Sequence, residues 1–389
     1  MRDHYDVLVV GGGVIGAAAA LAFSRAGLAV GLLEQGAMPA VPLPGDDIDL
    51  RVYALAPGSV RYLDSLGAWA TIAAYRTSPF RQMEVWDSDP ERRLDFDTAG
   101  MPGPELGHIV EDRVLRFALW SALGGVDLRV GQRATGFRFE AGCATLNLAD
   151  GTSLQAGLVV AAEGADSDLR RWADIDTTGW NYSQRSIVCH LQTEQPHRAA
   201  AYQRFMAKGP LALLPLSDGR SSIVWSTDLA HAEELLALDD AGFCERVERA
   251  IQQRLGRVLA VSPRRSFPLR LLHAESYVRP GLALVGDSAH VVHPLAGQGV
   301  NLGLADVEAL VSILVEARRQ RRDWSLRVLQ RYERRRKAAN LEMLALTEGL
   351  FRLFRQTSAT AVALREAGMF LLNRIGPLKG PLTRRAMGL

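Results

Sequence analysis

Residues 5–34 read YDVLVVGGGVIGAAAALAFSRAGLAVGLLE. Tyr5–Val10 is an apolar, β-branched run that predicts a strand, and three glycines end it. Val14–Ala26 has helical composition, and Ala29–Leu33 predicts a second strand, so the chain opens as a βαβ unit. Gly11, Gly13 and Gly16 stand in G-x-G-x-x-G register between strand and helix. In that pattern the first glycine makes the tight turn, the second lets a pyrophosphate approach the backbone, and the third lets helix and strand pack closely. The amides of Val14 and Ile15, at the positive end of the helix, add donors for the phosphates. Glu34 closes the second strand at the spacing expected of an acid that binds a ribose hydroxyl, with Gln35 beside it. Dinucleotide binding follows from the order of the parts, which is more specific than the glycines alone.

The 389-residue chain as a whole has the composition of an ordinary soluble globular protein: 48% of residues are hydrophobic, 23% are charged, and the net charge is +2. That balance gives no reason to expect nucleic acid as a partner. The charge is unevenly spread, with 17 Lys/Arg and 6 Asp/Glu from Glu316 onward, or +11. Two readings of that tail stand open: a solvated helical face, or attraction to an anionic lipid surface or acidic partner. Cys143, Cys189 and Cys244 fit neither a CxxC pair nor a disulfide framework, so a reducing cytoplasm is expected. The apolar run Val7–Phe23 imitates a signal peptide, but two acids precede it and glycines interrupt it.

Beyond the opening, Gly36–Asp49 is rich in Gly, Pro and Asp and predicts a loop. Helical spacing returns over Leu55–Ala74, a hairpin is expected over 81–98, and Glu111–Leu123 predicts an amphipathic helix. Strands follow at 127–130, 133–139, 143–148 and 157–161. The middle third predicts an antiparallel sheet, with strands at Ser186–Gln192, Ala201–Met206, Leu211–Leu216, Ser221–Thr227 and Ser266–Leu272. After a strand at Leu282–Val285 and a glycine-rich loop, the chain is helical in composition. The expected class is mixed α/β: a Rossmann-like domain (1–75, 108–175 and 279–345) interrupted by a sheet domain (76–107 and 176–278), with a helical C-terminal segment (346–389).

A second constellation lies at GDSAH (286–290) and its continuation HPLAGQGVNLGLAD (293–306). Asp287 follows an apolar strand, where a carboxylate accepts from a polyol hydroxyl. The glycines free backbone amides at the start of the next helix, a place that stabilises negative charge developing on a reduced flavin. Pro294, Gly297, Gln298, Gly299, Val300 and Asn301 are the candidate contacts. His290 and Pro294 are candidates for a catalytic contribution. The competing expectation for His290 and His293 is structural, and no third ligand with suitable spacing predicts a metal. GxSxG, HExxH and Walker-type loops are missing, which removes three hydrolytic readings.

With these residues in view, the N-terminal GxGxxG, the internal AAEGADS (161–167) and the late GD motif resemble the FAD-dependent aromatic hydroxylases related to para-hydroxybenzoate hydroxylase. HPLAGQGVNLGLAD more narrowly resembles the ubiquinone-biosynthesis hydroxylases, as do RVYAL (51–55), GPLALLPL (209–216) and RAMGL (385–389). Two departures stand out: Glu163 where the family usually has Asp, and Arg113 where relatives often carry Asn or another polar residue. The resemblance implies FAD as cofactor, held in part by Arg51, Arg113 and Glu163, with NADPH, NADH or another donor as reductant and dioxygen as co-substrate. It implies that a flavin hydroperoxide delivers oxygen to the ring of a polyprenylated phenol. A ubiquinone-biosynthesis complex and peripheral contact with the inner face of the membrane are implied as partners.

Leu213, Leu214 and Pro215 with Val224 and Trp225 lie on adjacent predicted strands that would wall an apolar substrate site, Leu213, Pro215 and Trp225 foremost, with core packing as the competing reading. A hydroxylase of small soluble aromatics and a non-catalytic FAD-bearing subunit of a biosynthetic assembly are the alternatives in function.

Overall fold

The computed structural model describes residues 4–43, 45–99, 103–293 and 297–374. The chain opens with β1 (His4–Val10), α1 (Val14–Arg25) and β2 (Val30–Glu34). After the predicted loop come β3 (Val52–Leu55), α2 (Pro57–Ser65), α3 (Trp69–Ala74), β4 (Thr77–Phe80), β5 (Gln82–Trp86), β6 (Leu94–Asp97) and β7 (Gly107–Glu111). Then follow α4 (Asp112–Ser121), β8 (Asp127–Val130), β9 (Ala134–Glu140), β10 (Cys143–Leu148), β11 (Ser153–Ala161) and α5 (Asp168–Trp172). The middle third contributes β12 (Thr177–Thr193), β13 (Ala200–Arg204), β14 (Leu211–Pro215), β15 (Ser221–Asp228), α6 (Leu229–Ala237), α7 (Asp240–Ala250), β16 (Val258–Val261) and β17 (Arg265–Ala274). The last part holds β18 (Val278–Arg279), β19 (Leu282–Leu284), β20 (His290–Val291), α8 (Gly299–Arg319), α9 (Leu326–Arg355) and α10 (Ala359–Arg374).

The first sheet runs β18-β19-β11-β1-β2-β8, with the β9–β10 hairpin added beside β11. β1 pairs in parallel with β2 and β11, and β19 joins β11 in parallel. Strands covered on both faces read as continuous apolar runs, which is why VLVV and VVA carry no alternation. α1 is nearly featureless in polarity because it is buried, and its alanines Ala17, Ala18, Ala19, Ala20 and Ala22 let it sit close to its neighbours. The glycine loop therefore emerges at the carboxyl ends of parallel strands, where ligands of such sheets bind.

The second sheet runs β20-β17-β12-β15-β14-β13-β5-β6, with β16 on β12. It is antiparallel as expected apart from a parallel β13–β5 pair. β12 is much longer than the predicted strand and shifts register between Asn181 and Arg185, where Ser183 adopts φ +53°. α6 and α7 were missed by the sequence reading; Asp228 and Asp239 cap their N-termini by accepting from His231 N–H and Gly242 N–H. These helices cover one face of the sheet, burying Ile187, Cys189, Leu211, Leu213, Ile223 and Trp225 against Phe243 and Val247. The other face carries Ser186, Val188 and His190 on β12, Ala212 and Leu214 on β14, and Ser222, Val224 and Ser226 on β15, by strand alternation.

That second face is covered at two places. The small sheet β3-β7-β4 and Ile48 of the preceding loop pack on Ala201 and Leu216. Val292, Leu302 and the α9 residues Leu344, Phe351 and Phe354 pack on Tyr182, Phe205, Leu269 and Leu271.

Candidate active site

The glycine loop shows why each of its glycines is there. Gly11 has φ +102°, and a Cβ on it would lie 2.4 Å from the carbonyl oxygen of Ala162. A Cβ on Gly16 would lie 1.8 Å from the Gly11 oxygen, so α1 can close on β1 only without a side chain there. Gly13, the N-cap of α1, faces open space within 4 Å and has no side-chain cap. The first turn of α1 carries no acid, so the helix end is electrostatically free for an anion.

Glu34 reaches back over this loop. Its carboxylate accepts from Gly12 N–H at 2.5 Å and from Gly36 N–H at 2.6 Å, while the Trp120 indole donates to the Gly12 oxygen at 2.8 Å. Gln35 is exposed beside it. The strand-end acid is thus at the mouth of the turn, and Trp120, which sequence reasoning passed over, packs with it against Gly12.

The second loop meets the first through Ile15. Its side chain lies 3.2 Å from where a Cβ of Gly286 would be and 2.7 Å from that of Gly303, so α1, the GD turn and α8 touch at two glycines. Gly286 adopts φ +58° and turns Asp287 outward, where it is exposed yet closely surrounded. Those surroundings raise its carboxyl above the ordinary value, against the pull of His290, Arg51 and Arg270. Pro294 lies outside the described residues. Gly297 has φ +59°, Gln298 is the N-cap of α8, Val300 is buried, and a Cβ on Gly299 would meet nothing within 4 Å. Two helix N-termini, each with an open glycine, flank the exposed Asp287.

Asn301 is committed to protein groups. Its oxygen accepts from Ala56 N–H at 2.9 Å and Ser59 Oγ at 2.7 Å, and its amide donates to the Ala54 carbonyl at 2.9 Å. It ties α8 to β3 and α2, and its backbone remains at the start of the helix.

Behind the GD turn lies a polar network the sequence did not announce. Asp306, fully buried, accepts from His290 Nε2 at 2.5 Å, Arg336 Nε at 2.7 Å and Gly286 N–H at 3.1 Å. Burial raises its carboxyl, but the partners His290 and Arg336 prevail and hold it below the usual range. His290 is therefore a buried strut with its Nε2 occupied. His293 is also buried; its Nε2 lies 3.3 Å from Gln184 Oε1, and burial lowers its pKa to about 4.

The remaining candidates each engage protein groups. Arg51 is 68% exposed, 4.0 Å from Asp112 and over the Tyr53 ring. Arg113 pairs with Glu111 at 2.9 Å and Asp46 at 3.5 Å. Buried Glu111 also accepts from Arg76 and from Asp49 N–H, which fastens the Gly36–Asp49 loop to β7. Glu163 accepts from Ser167 Oγ at 2.6 Å and Leu169 N–H at 3.1 Å, capping α5, and burial raises its carboxyl.

Leu213 and Trp225 need a correction. Both are packed in the core under α6 and α7, and Pro215 shares their strand parity. The face turned toward Ile48 carries Leu214 and Val224, one residue along each strand.

The arrangement fits a dinucleotide: an uncapped helix end behind an open glycine, an acid at the end of β2, and a second glycine loop set beside an exposed aspartate. No group of three or more His, Cys, Asp or Glu able to hold a metal is present among the described residues.

Comparison with known proteins agrees with this geometry. A family described as FAD binding domain matches residues 4–347. The chain is 37% identical over 388 residues to the 3-demethoxyubiquinol 3-hydroxylase of Escherichia coli K12, covering 99% of this chain and 98% of the relative. It is 38% identical to the ubiquinone hydroxylase UbiL of Rhodospirillum rubrum, covering 98% and 89%. Among solved structures, Pseudomonas aeruginosa PqsL in complex with 2-aminobenzoylacetate superposes with a TM-score of 0.79 at 23% identity, covering 94% of this chain and 99% of that one.

Proposed function

The chain belongs to the FAD binding domain family, and from that premise we propose how its residues serve the ring hydroxylation of a prenylated phenol. It is an FAD-dependent monooxygenase of the ubiquinone-biosynthesis hydroxylases. The observation that carries this reading is end-to-end similarity to the 3-demethoxyubiquinol hydroxylase, 37% over 99% of the chain. The overall reaction consumes the phenol, dioxygen, NAD(P)H and a proton, and yields the hydroxylated ring, water and NAD(P)+.

When bound, FAD passes electrons from the reductant to dioxygen and supplies the oxygen atom to the ring. Gly11, Gly13 and the amides of Val14 and Ile15 would hold its pyrophosphate, and Glu34 with Gln35 its adenosine ribose. Asp287 would accept from the ribityl chain. Gly297, Gln298, Gly299, Val300 and the Asn301 backbone would face the ring, with Pro294 beside them. Arg51, Arg113 and Glu163 would contribute contacts to FAD or the reductant. What the protein would add is orientation and the exclusion of water, with the apolar residues of the second-sheet face as one wall.

The substrate's tail gives a reason to visit a membrane. No helix among the described residues is long and apolar enough to cross one. Exposed Leu346 and Leu353 on α9 and Leu364 and Leu371 on α10 form two pairs, each spaced by seven residues, beside exposed Arg352 and Arg355. This face would rest on anionic headgroups without spanning them. Arg365 anchors α10 to the sheet through a buried pair with Asp87 at 2.7 Å, so the face is presented by a fixed helix.

The test is turnover of the holoenzyme with NADPH, a short-chain prenylated phenol and isotopically labelled dioxygen. The product should gain one labelled oxygen atom. NADPH oxidation that yields only hydrogen peroxide with this phenol would overturn the substrate assignment.

A further inference from the structure

On β14, β15 and β12 one cross-strand row runs Leu214, Ser222, His190, and the next runs Ala212, Val224, Val188. Leu214, Ala212, Val224 and Val188 are partly exposed although they sit mid-strand in central strands. Close packing leaves no such exposure in a filled interior, so these four floor a hollow. Ile48 and Leu216 stand at its edge.

At the end of that floor are groups without partners. His190 is 1% exposed, and neither its Nδ1 nor its Nε2 has a hydrogen-bond partner among the described residues. The same holds for Ser222 Oγ, on the next strand at the opposing position. The His190 backbone, by contrast, is pinned: its N–H donates to Ser262 Oγ at 2.9 Å and its carbonyl accepts from Ser262 N–H at 2.9 Å. Buried polar groups in native proteins are paired, and exceptions call for a ligand or a trapped water.

We propose that His190 and Ser222 read the phenolic oxygen of the substrate ring: His190 accepts its O–H, Ser222 donates to the same oxygen, and the apolar floor takes the ring face. This rests on the phenol reading given above. Burial and the charge of Arg220 keep the imidazole in its neutral form, opposed by Asp47, Asp218 and Glu111. A neutral imidazole has the lone pair the phenol requires, and an O–H held to it enriches the ring that must attack oxygen.

The probes are a short-chain prenylated phenol and its methyl ether, titrated into the holoenzyme and followed by the flavin spectrum. The wild type should bind the phenol about tenfold tighter than the ether, since a site built for a hydroxyl rejects the analogue lacking one. His190→Leu should erase that preference while FAD content is kept and Tm holds or rises, because an unpaired polar group has been removed. His190→Gln should restore part of the preference, and Ser222→Ala should weaken it. A His190→Leu variant with the wild-type preference overturns the proposal, whether Tm stays or falls, and leaves His190 to a buried water or to packing. Equal binding of both probes to the wild type overturns it too, with the phenol reading intact. Binding of neither probe removes the phenol reading and this inference together.

Discussion

Glu34 Oε2 lies 2.5 Å from the amide nitrogen of Gly12. The acid that ends β2 is thus already engaged with the turn that precedes α1, and both elements meet at the place where an adenosine ribose is expected. Glu34→Ala should weaken FAD binding by about 1.5–3 kcal/mol, the worth of a hydrogen bond to a charged group. Fluorescence titration of the apoprotein should show the loss with the fold retained. An unchanged dissociation constant removes the ribose role.

Gly16 and Gly299 should respond in opposite ways. Gly16→Ala places a Cβ 1.8 Å from the Gly11 oxygen, so the apoprotein should lose about 1–3 kcal/mol to overpacking. Gly299→Val meets only open space, so apoprotein stability should stay within about 0.5 kcal/mol while hydroxylation falls far more than FAD content. Denaturant melts of both apoproteins and turnover of the Gly299 variant settle the contrast. Wild-type turnover there would place the flavin ring elsewhere.

Asp306→Ala should be the most damaging change. It strands Arg336 and His290 in the interior, and breaking a buried pair costs about 3–5 kcal/mol. FAD retention should fall with it, because Gly286 N–H loses its acceptor. The carboxyl titrates below its ordinary value in the fold, so its contribution is present above about pH 4 and is lost as pH falls through the folded value. A variant as stable as the wild type by urea denaturation at pH 7 would show the network to be dispensable.

Acid should destabilise the protein earlier for another reason. His273 and His293 are lowered from the ordinary 6.5 to about 4, chiefly by burial. Between those values the unfolded chain binds protons that the folded chain refuses, so stability declines as pH falls, by at most about 1.4 kcal/mol per pH unit for each group. His293→Gln should flatten the dependence of Tm on pH between 6.5 and 4.5. A slope unaltered in that variant would exclude His293 as a source.

Liposome co-sedimentation tests the α9–α10 face. Binding should rise with anionic lipid, fall with salt, and weaken in Leu353→Glu combined with Leu364→Glu, with FAD content unaffected. Equal recovery on neutral and anionic vesicles at low salt would exclude electrostatic docking and leave the hydroxylase assignment standing.

The parts that were legible in the sequence are those whose causes are local. Gly11, Gly13, Gly16 and Glu34 answer to one another within 24 residues, so their spacing alone carries the turn, the helix end and the acid. Asp306 and Glu111 were illegible because their partners come from far along the chain: Arg336 from another helix, and Arg76 from the end of a connecting turn. The strands of the second sheet were found, but their two faces were not told apart. Leu213 is the same residue type as Leu214, and Trp225 and Val224 are both apolar, so composition does not choose between the faces; what buries Leu213 and Trp225 is their cover. α6 and α7 cover them, and no helix was expected over 229–250. Ser222 and His190 left one usable trace, a polar residue at alternate positions of apolar strands, which asks what the polar side would face.

On β12, β14 and β15 the side chains under α6 and α7 are all odd-numbered, and those on the hollow are all even-numbered. If the hollow takes the substrate ring as proposed, stability and selectivity are written in two interleaved alphabets on the same strands. Even-numbered positions are open to variation toward differently substituted rings while the odd-numbered residues keep the sheet folded. A single inserted residue within any of these strands would exchange the two, exposing a core leucine and burying a serine, whereas an insertion in the 217–220 turn would leave both in place. Diversification of this enzyme's substrate range is thus expected to proceed by substitution within strands and by length change only between them.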